Sequence, residues 1–234
     1  MQREFSNKMP RKYLIFDSGS IINITQNCLV SMFRDLNKVF QGEFLMTPEV
    51  MYETIEHPLR IKKFEWGAIR IQSLLDEEIL KPFQDEEICS YKELKEKARE
   101  VMNLANNCFF SEGRPIHMIE AGEAECMALS LILAKKGIDS AVVIDERTAR
   151  MLCENIENLH ELMESKLETK LELKKENLGV FQGIKVLRST ELIYMAFKRG
   201  LIDSDRKKLE AMLYALKFGG CSVSEKEVEF MKKA

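Results

Sequence analysis

The stretch Tyr13-Leu14-Ile15-Phe16-Asp17-Ser18-Gly19-Ser20-Ile21-Ile22 indicates the fold class of this chain. Its apolar run leads directly into an aspartate, a pattern typical of a strand that is buried on both faces of a parallel sheet. Open α/β sheets bind their ligands at the carboxyl ends of such strands, where Asp17 stands. Ser18 and Gly19 allow a sharp turn at this point. Asp17 alone is equally compatible with a helix cap, so a site is inferred only if other carboxylates arrive at the same edge.

Composition limits the possible classes of protein. The chain has 234 residues, of which 45% are hydrophobic and 31% charged, enough for one sizeable domain or for a domain with an extension. Its formal net charge of −3 provides no global basic field for nucleic acid. Binding of a polyanion would therefore need a local basic patch or a metal ion.

The cysteines and the hydropathy pattern bear on the compartment. Six cysteines are scattered without a C-x-x-C pair, which argues against zinc knuckles and against a disulfide framework. This usage indicates a reducing cytoplasm with buried thiols. No apolar run is long enough to span a bilayer, and the polar first twelve residues lack an apolar signal region. We therefore expect a cytoplasmic protein that does not associate with a membrane.

Predicted strands alternate with predicted helices along the chain. The stretch 79–83 is expected to be an edge strand because it contains Pro82. The predicted strands are 13–16, 44–47, 79–83, 140–144 and 184–187. Such alternation is typical of an α/β fold, a three-layer α/β/α domain with a mainly parallel central sheet.

Two segments extend this simple plan. The pattern from Leu152 to Leu173 is long, charged and narrowly striped, which predicts a helical arm inserted at about 155–180. Residues 204–234 predict two more short helices around Gly219-Gly220. The expected organisation is one α/β domain over 1–203 that carries the arm, followed by a C-terminal helical extension over 204–234.

Carboxylates recur at the ends of the predicted elements. Asp17 and Asp145 each follow an apolar strand, Glu53 lies in the helix after the second strand, and Glu123 and Glu125 lie in the first turn of the helix before the Asp145 strand. Carboxylates that converge on one sheet edge repel one another unless a cation lies among them. Hard oxygen ligands suit Mg²⁺ or Mn²⁺. Two such ions about 4 Å apart polarise a phosphodiester and activate a water for in-line attack.

Several of these carboxylates have structural alternatives. Residues at i and i+2 point in different directions on a helix, so Glu123 and Glu125 need not both face the site. We favour Glu125 as the ligand and keep Glu123 as a candidate for the second metal. Glu125 would otherwise cap a helix that begins at Gly122. Glu53 would otherwise belong to a solvated polar helix face.

Other polar residues are candidates for supporting roles. Glu146 would replace or assist Asp145, and Arg150, one helical turn further on, is expected to pair with a carboxylate. Ser18 and Thr148 would orient a water or a ligand carboxylate, although such residues are more often turn and cap residues.

The cations after the second predicted strand are candidates for contact with RNA. Lys62, Lys63 and Arg70 lie on the predicted helix 61–75, where they would meet phosphates. Their more common role is a solvated helix face.

Together these motifs resemble the PIN domain family, in its prokaryotic, toxin-like subgroup. The resemblance rests on Asp17 after a strand, the segment Thr47-Pro48-Glu49-Val50-Met51-Tyr52-Glu53, the segment Gly122-Glu123-Ala124-Glu125, and the segment Ile144-Asp145-Glu146-Arg147-Thr148-Ala149-Arg150. Gly122-Glu123-Ala124-Glu125 is also similar to a segment of flap endonucleases in which both glutamates belong to the metal site. The stretch 183–202 is similar to the closing strand and helix of a PIN subgroup. Glu146 stands where the family pattern usually has a second aspartate.

The resemblance implies a function and partners. PIN domains are metal-dependent ribonucleases and include the toxins of toxin–antitoxin pairs, so it implies an RNA substrate, a possible small antitoxin and a possible homodimer. We therefore expect a Mg²⁺- or Mn²⁺-dependent endoribonuclease that cleaves single-stranded or loop RNA. Asp17, Glu53, Glu125 and Asp145 would be the catalytic metal ligands.

Two functions of other classes remain open. In a non-catalytic RNA-binding or assembly module, the acidic residues would have no catalytic use, and Glu53 and Glu125 would not reach Asp17 and Asp145. A phosphotransferase or phosphatase would use Asp17 as a covalent nucleophile, but Gly19 stands where a second aspartate is expected. The chain has no G-x-x-x-x-G-K-[ST] motif, which excludes P-loop chemistry.

Overall fold

The structure is a computed structural model that describes residues 12–84, 86–202 and 205–233. The polar tail predicted at the N-terminus lies outside the described residues up to residue 11, as do residues 203–204 at the predicted domain boundary. The strands are β1 (Lys12–Phe16), β2 (Glu43–Met46), β3 (Leu80–Pro82), β4 (Phe109–Ser111), β5 (Arg114–Pro115), β6 (Asp139–Val143), β7 (Glu172–Leu173) and β8 (Val186–Leu187).

Helices account for most of the rest of the described chain. They are α1 (Ser18–Gln26), α2 (Val30–Val39), α3 (Pro48–Met51), α4 (Glu65–Asp76), α5 (Tyr91–Asn106), α6 (Ala121–Lys135), α7 (Arg147–Glu154), α8 (Ile156–Leu167), α9 (Ser189–Lys198), α10 (Arg206–Phe218) and α11 (Glu225–Lys233). Among the described residues, no helix combines the length and the apolar character that a membrane crossing requires.

The central sheet confirms the predicted α/β class. In the described part of the chain it has five strands in the order β3-β2-β1-β6-β8, and every neighbouring pair is parallel. All five were predicted, and β3, which contains Pro82, lies at the edge as expected. Helices flank the sheet in a three-layer α/β/α arrangement. The register places Phe16 of β1 level with Val143 of β6, so Asp17 and Asp145 leave the sheet at the same edge.

An aromatic cluster packs helix α2 onto the sheet. The ring of Phe16 lies 4.9 Å from that of Phe33 and 5.2 Å from that of Phe44, and the rings of Phe33 and Phe44 are 5.1 Å apart. All three side chains are fully buried. Each buried phenylalanine contributes about 1.5–3 kcal/mol to the free energy of unfolding, so this cluster fixes the strand that carries Asp17.

A second, smaller sheet was not predicted. Its antiparallel strands follow the order β5-β4-β7, with Phe110 opposite Pro115 and Phe109 opposite Leu173. The residues of β5 were predicted to be part of a loop. Strands of two or three residues are too short to show a period of two, so the sequence carries no signal for them.

The predicted arm is helical in part but folds against the domain instead of projecting from it. Asn155 interrupts the helix and caps α8, accepting a hydrogen bond of 2.9 Å from the amide of Asn158. Leu159 and Met163 on α8 are buried. Strand β7 then joins the small sheet through β4. The insertion is therefore part of the packed domain.

The C-terminal extension also packs into the domain. Helix α10 contacts α9, and Leu209, Leu213 and Leu216 are fully buried along it. Between α10 and α11, the amide of Ser222 donates a hydrogen bond of 3.0 Å to the backbone carbonyl of Asp145. The segment 205–233 thus reaches the sheet edge that carries the candidate site.

Candidate functional site

Asp17 is both a helix cap and a buried member of the sheet edge. Its Oδ2 accepts a hydrogen bond of 3.0 Å from the amide of Gly19 at the start of α1. The side chain is only 5% exposed. The capping role expected as an alternative is therefore real, and it leaves the carboxylate at the carboxyl end of β1, where a ligand would bind.

Glu53 reaches the same place from an irregular helix. Helix α3 begins at Pro48 behind the cap Thr47 and passes into a π-helical turn over Tyr52–Glu56, which contains Glu53. Such turns are rare and are often found at functional sites. A Cβ at Gly122 would lie 2.8 Å from Oε2 and 3.0 Å from Oε1 of Glu53. Gly122 therefore allows the Glu53 carboxylate to approach the start of α6.

Glu123 lies in the first turn of α6 and is 8% exposed. Its Oε2 accepts a hydrogen bond of 2.9 Å from the amide of Glu120, the residue that caps the helix. The capping role considered for Glu125 thus belongs to Glu123, and the cap is Glu120 instead of Gly122. The capping geometry directs Glu123 to the edge of the sheet that carries Asp17.

Asp17, Glu53 and Glu123, which we call the acidic cluster, are three carboxyls whose pKa values are all raised, first by burial and then by neighbouring negative charges. Burial, opposed by the Gly19 amide and reinforced by Glu53 and Asp145, raises the pKa of Asp17 to about 7. Burial and the charge of Asp17 raise the pKa of Glu123 to about 8. Burial also raises the pKa of Glu53, while Ser18 and the amide of Gly122 favour its charged form. Crowded carboxyls of this kind are typical of functional sites.

Asp145 lies beside the acidic cluster but is held by protein donors. Its Oδ1 accepts a hydrogen bond of 2.7 Å from the amide of Ser189. Its Oδ2 accepts from the Ser189 hydroxyl at 2.6 Å and from Nδ2 of Asn23 at 2.9 Å. Sequence reasoning missed Asn23 and Ser189. Ser189 had a detectable signal, because it directly follows the strand region beside β6 and so had to emerge at the same sheet edge.

Glu125 is not brought to the acidic cluster by any contact that the structure shows. Its Oε1 lies 2.8 Å from Nζ of Lys95, and its Oε2 accepts a hydrogen bond of 2.8 Å from the amide of Glu49. Partial burial lowers the pKa of Lys95, but contacts with Glu125, Tyr91 and Glu49 together outweigh it and hold this pKa above its usual value. These contacts place Glu123, and not the favoured Glu125, beside Asp17. Residues at i and i+2 are about 200° apart on a helix, so only one of the two can face Asp17.

The supporting residues have local roles. Glu146 caps α7 by accepting a hydrogen bond of 2.8 Å from the amide of Ala149, and its charge contributes to the raised pKa of Glu123. Arg150 pairs with a carboxylate as expected, that of Glu154 at 2.9 Å. Thr148 lies in the first turn of α7 and is half-buried.

The three candidate RNA-binding cations differ in their surroundings. Lys62 is exposed and forms an ion pair of 2.9 Å with Glu65. Lys63 lies over the ring of Phe64, with Nζ 5.1 Å from the ring centroid. Lys63 and Arg70 both line a cavity next to Glu53, whereas Lys62 does not line it.

The donor set suits a hard divalent cation. In the described ranges, no three His, Cys, Asp or Glu side chains are already arranged to hold a metal ion. Mg²⁺ usually keeps several waters and binds through one or two carboxylates together with substrate phosphates, so it does not require such a cage. A cation among Asp17, Glu53 and Glu123 would offset the burial and the negative charge that raise their pKa values.

Comparisons of the chain with family models, with curated proteins and with solved structures found no match. The resemblance to PIN domains thus stays a prediction from the residues.

Proposed function

We propose that the protein is a Mg²⁺- or Mn²⁺-dependent endoribonuclease whose metal site is built on the acidic cluster. The observation that carries this proposal is the crowding of three carboxyls whose pKa values are raised by burial and by neighbouring negative charge. In addition to burial, the charge of Glu53 raises the pKa of Asp17, and the charge of Asp17 raises the pKa of Glu123, at the carboxyl edge of a parallel sheet. A fold maintains such repulsion when the charges are used for binding.

Each residue of the site would have a distinct role in binding the metal ion. A bound divalent ion supplies Lewis-acid polarisation of a phosphodiester and a water of lowered pKa. Glu123 would bind it through Oε1, because Oε2 is committed to the Glu120 amide. Asp17 would bind from the end of β1, and Gly122 would leave Glu53 room to bind from the π-helical turn. Asp145, fixed by Ser189 and Asn23, would add negative charge beside them.

The substrate and the cellular role belong to the same proposal. Single-stranded or loop RNA fits best, because its backbone can enter an acidic groove that a stiff duplex would not reach. The resemblance to toxins suggests inhibition by a small antitoxin and assembly as a homodimer. The free cysteines, found among the described residues at Cys28, Cys89, Cys108, Cys126, Cys153 and Cys221, support a reducing compartment such as the cytoplasm.

A non-catalytic RNA-binding module is the second candidate, and two observations favour it. Glu125 is neutralised by Lys95, and both oxygens of Asp145 already accept hydrogen bonds. A non-catalytic module is expected to keep both Glu53 and Glu125 away from Asp17 and Asp145. Glu53 lies near Asp17, but Glu125 is held by other partners, so only Glu125 behaves as that module predicts.

Cleavage of a fluorescent single-stranded RNA with Mn²⁺, Mg²⁺ or EDTA tests the proposal. We expect metal-dependent cleavage by the wild type and a loss of about 100-fold or more in Asp17→Asn and in Glu123→Gln. The matched control Glu125→Gln, two residues away, should retain far more activity per folded molecule. Cleavage that survives Asp17→Asn and Glu123→Gln would contradict the proposal. Binding of RNA without cleavage under any metal would favour the non-catalytic module.

A further inference from the structure

A cavity of about 490 Å³ opens beside the acidic cluster. Its walls come from helix α1, the π-helical turn and helix α4, and Ile22 and Ile71 form part of its apolar surface. Glu53 lines this cavity and also belongs to the acidic cluster. A chain-like ligand held at the cluster would therefore have its next unit at the mouth of the cavity. The volume lies in the usual range for small-ligand pockets, about 300–1,000 Å³.

Two aromatic side chains at this cavity are open to solvent. Trp66, the single tryptophan of the chain, is 69% exposed, and Phe64 is 46% exposed. Large apolar rings at a cavity next to polar catalytic groups are unusual for a plain protein surface. Proteins that bind single-stranded nucleic acid use such rings as stacking platforms, because every base presents a π-face.

Cations stand beside these rings. Lys63 and Arg70 line the cavity, and in the described part of the chain neither forms an ion pair with a carboxylate. Lys62, by contrast, is paired with Glu65 and lies outside the cavity. In a chain whose net charge is −3, two uncompensated cations next to aromatic rings form a local site for phosphate.

We propose that this cavity binds one unpaired nucleotide of a single-stranded RNA, with its base stacked on Trp66 and Phe64 and its phosphate against Lys63 and Arg70. The inference rests on the proposed function, since it places this nucleotide next to the phosphate that the acidic cluster would hold. It adds a requirement for an unstacked base. A duplex keeps its bases paired and cannot supply one, and a polyanion without bases would contact only the cations.

The single tryptophan provides a direct measurement. Titration of the full chain, in EDTA so that no cleavage occurs, with a single-stranded RNA of about eight nucleotides should quench the fluorescence of Trp66. Duplex RNA of the same sequence and inorganic polyphosphate are the comparison ligands, and we expect neither to produce this quenching. Equal quenching by polyphosphate would overturn the inference, because it would show that charge without a base suffices.

Variants test the two halves of the site separately. Trp66→Ala should weaken binding of a labelled single-stranded RNA by about 5-fold or more, from the loss of one stacking contact. Lys63→Ala and Arg70→Ala should weaken it and make it less sensitive to salt. The matched controls are Lys62→Ala, next to Lys63 in sequence, and Phe230→Ala, an exposed aromatic on α11. Both controls should bind like the wild type.

The outcomes separate this inference from the proposed function. If the wild type cleaves RNA but Trp66→Ala binds as tightly as the wild type and RNA leaves the fluorescence unchanged, the nuclease stands and the cavity inference is wrong. If RNA quenches Trp66 and the cavity variants lose binding but no metal supports cleavage, the nucleotide site stands and the nuclease is wrong. If the protein binds no RNA at all, both the proposed nuclease and the cavity inference are wrong.

Discussion

Asp17 stabilises helix α1 as its cap, while its charge destabilises the folded state at neutral pH. Burial and the neighbouring carboxylates raise its pKa to about 7. A raised carboxyl pKa means that the folded state binds the proton more tightly than the unfolded chain, so this contribution to stability is present at low pH and is lost as the pH rises from about 4 to about 7. Asn at this position would keep the cap and remove the charge.

We therefore predict that Asp17→Asn stabilises the metal-free protein. At pH 8 the free energy of unfolding should rise by about 1–4 kcal/mol, since each pKa unit corresponds to about 1.4 kcal/mol. Near pH 4 the gain should vanish, because Asp17 is then protonated in the wild type. Urea unfolding in EDTA at both pH values measures the difference.

Glu125→Gln is the matched control for that experiment. Its carboxylate is paired with Lys95 at 2.8 Å, so loss of its charge should lower the stability of the protein at pH 8. If Asp17→Asn raises the free energy of unfolding and Glu125→Gln lowers it, the charge of Asp17 is unfavourable in the folded protein and the charge of Glu125 is favourable. Destabilisation by Asp17→Asn at pH 8 would contradict the assignment of repulsion to the cluster.

Gly122 gives a second prediction at the residue scale. A methyl group there would lie 2.8 Å from Oε2 of Glu53, so the flexible end of that side chain must move. Helices favour Ala over Gly by about 1 kcal/mol, so Gly122→Ala should fold with equal or greater stability. The rate of RNA cleavage and the affinity for Mn²⁺ should both fall by about 10-fold or more.

Stability and activity must be measured on the same preparation of Gly122→Ala. Gly67→Ala is the control for stability, because Gly67 lies in α4 and its added Cβ meets nothing within 4 Å. A Gly122→Ala variant with wild-type cleavage would show that the position of Glu53 does not matter for the reaction.

The choice between Glu123 and Glu125 shows where prediction from sequence stops at this scale. Their spacing shows that only one of the two faces a given side of the helix, but it does not say which. Lys95, which decides the matter, lies 28 to 30 residues away on α5 and is one lysine among several charged residues there. The partner of a buried charge is set by packing, which the local sequence does not encode.

At the scale of elements, a buried arginine connects the start of helix α9 to the last helix, α11. Arg188, just before α9, lies 2.7 Å from Glu191 and 2.8 Å from Glu227 on α11. It also donates a hydrogen bond of 3.2 Å to the carbonyl of Ser222. Arg188 is therefore the link between the closing strand, the last helix and the loop that contacts Asp145.

We predict that Arg188→Met lowers the free energy of unfolding by about 2–3 kcal/mol, because it leaves two partly buried carboxylates without a partner. A second change, Glu227→Gln, should restore part of this loss, and urea unfolding of the two single variants and the double variant measures the coupling. Purely additive effects would show that the two side chains do not interact in solution.

Elements with a long hydrophobic pattern were predictable from the sequence, and very short elements were not. The strands of the central sheet follow from apolar runs such as that of β6, and α6 follows from the glycines at its two ends, Gly122 and Gly137. The small sheet was not predictable, since two-residue strands have no period. The break at Asn155 was not predictable either, because apolar residues continue at helical spacing on both sides of it. Strand β7 depends on its pairing with β4, more than 60 residues earlier.

At the scale of the whole molecule, the sequence predicts a domain followed by a C-terminal helical extension. The structure joins the extension to the site. Asn23 donates one hydrogen bond of 2.9 Å to Asp145 and another of 2.9 Å to the carbonyl of Leu216 at the end of α10. The helix that follows Asp17, the strand end that carries Asp145 and the C-terminal helices therefore share a single polar network.

Removal of residues 204–234 should consequently prevent folding, even though the central sheet is retained. The truncated chain would expose the partners of Leu209, Leu213, Leu216 and Val228, which are all fully buried. At about 1.5–3 kcal/mol for each side chain, the loss is comparable to the whole stability of a domain, about 5–15 kcal/mol. Far-UV circular dichroism and urea unfolding of residues 1–203 should show no cooperative transition. Leu213→Ala in the full chain, expected to cost about 2–5 kcal/mol, tests the same packing without truncation. A truncated chain that unfolds with the midpoint of the full-length protein would instead show that 204–234 is an independent appendage and that Asp145 is positioned by the sheet and Ser189 alone.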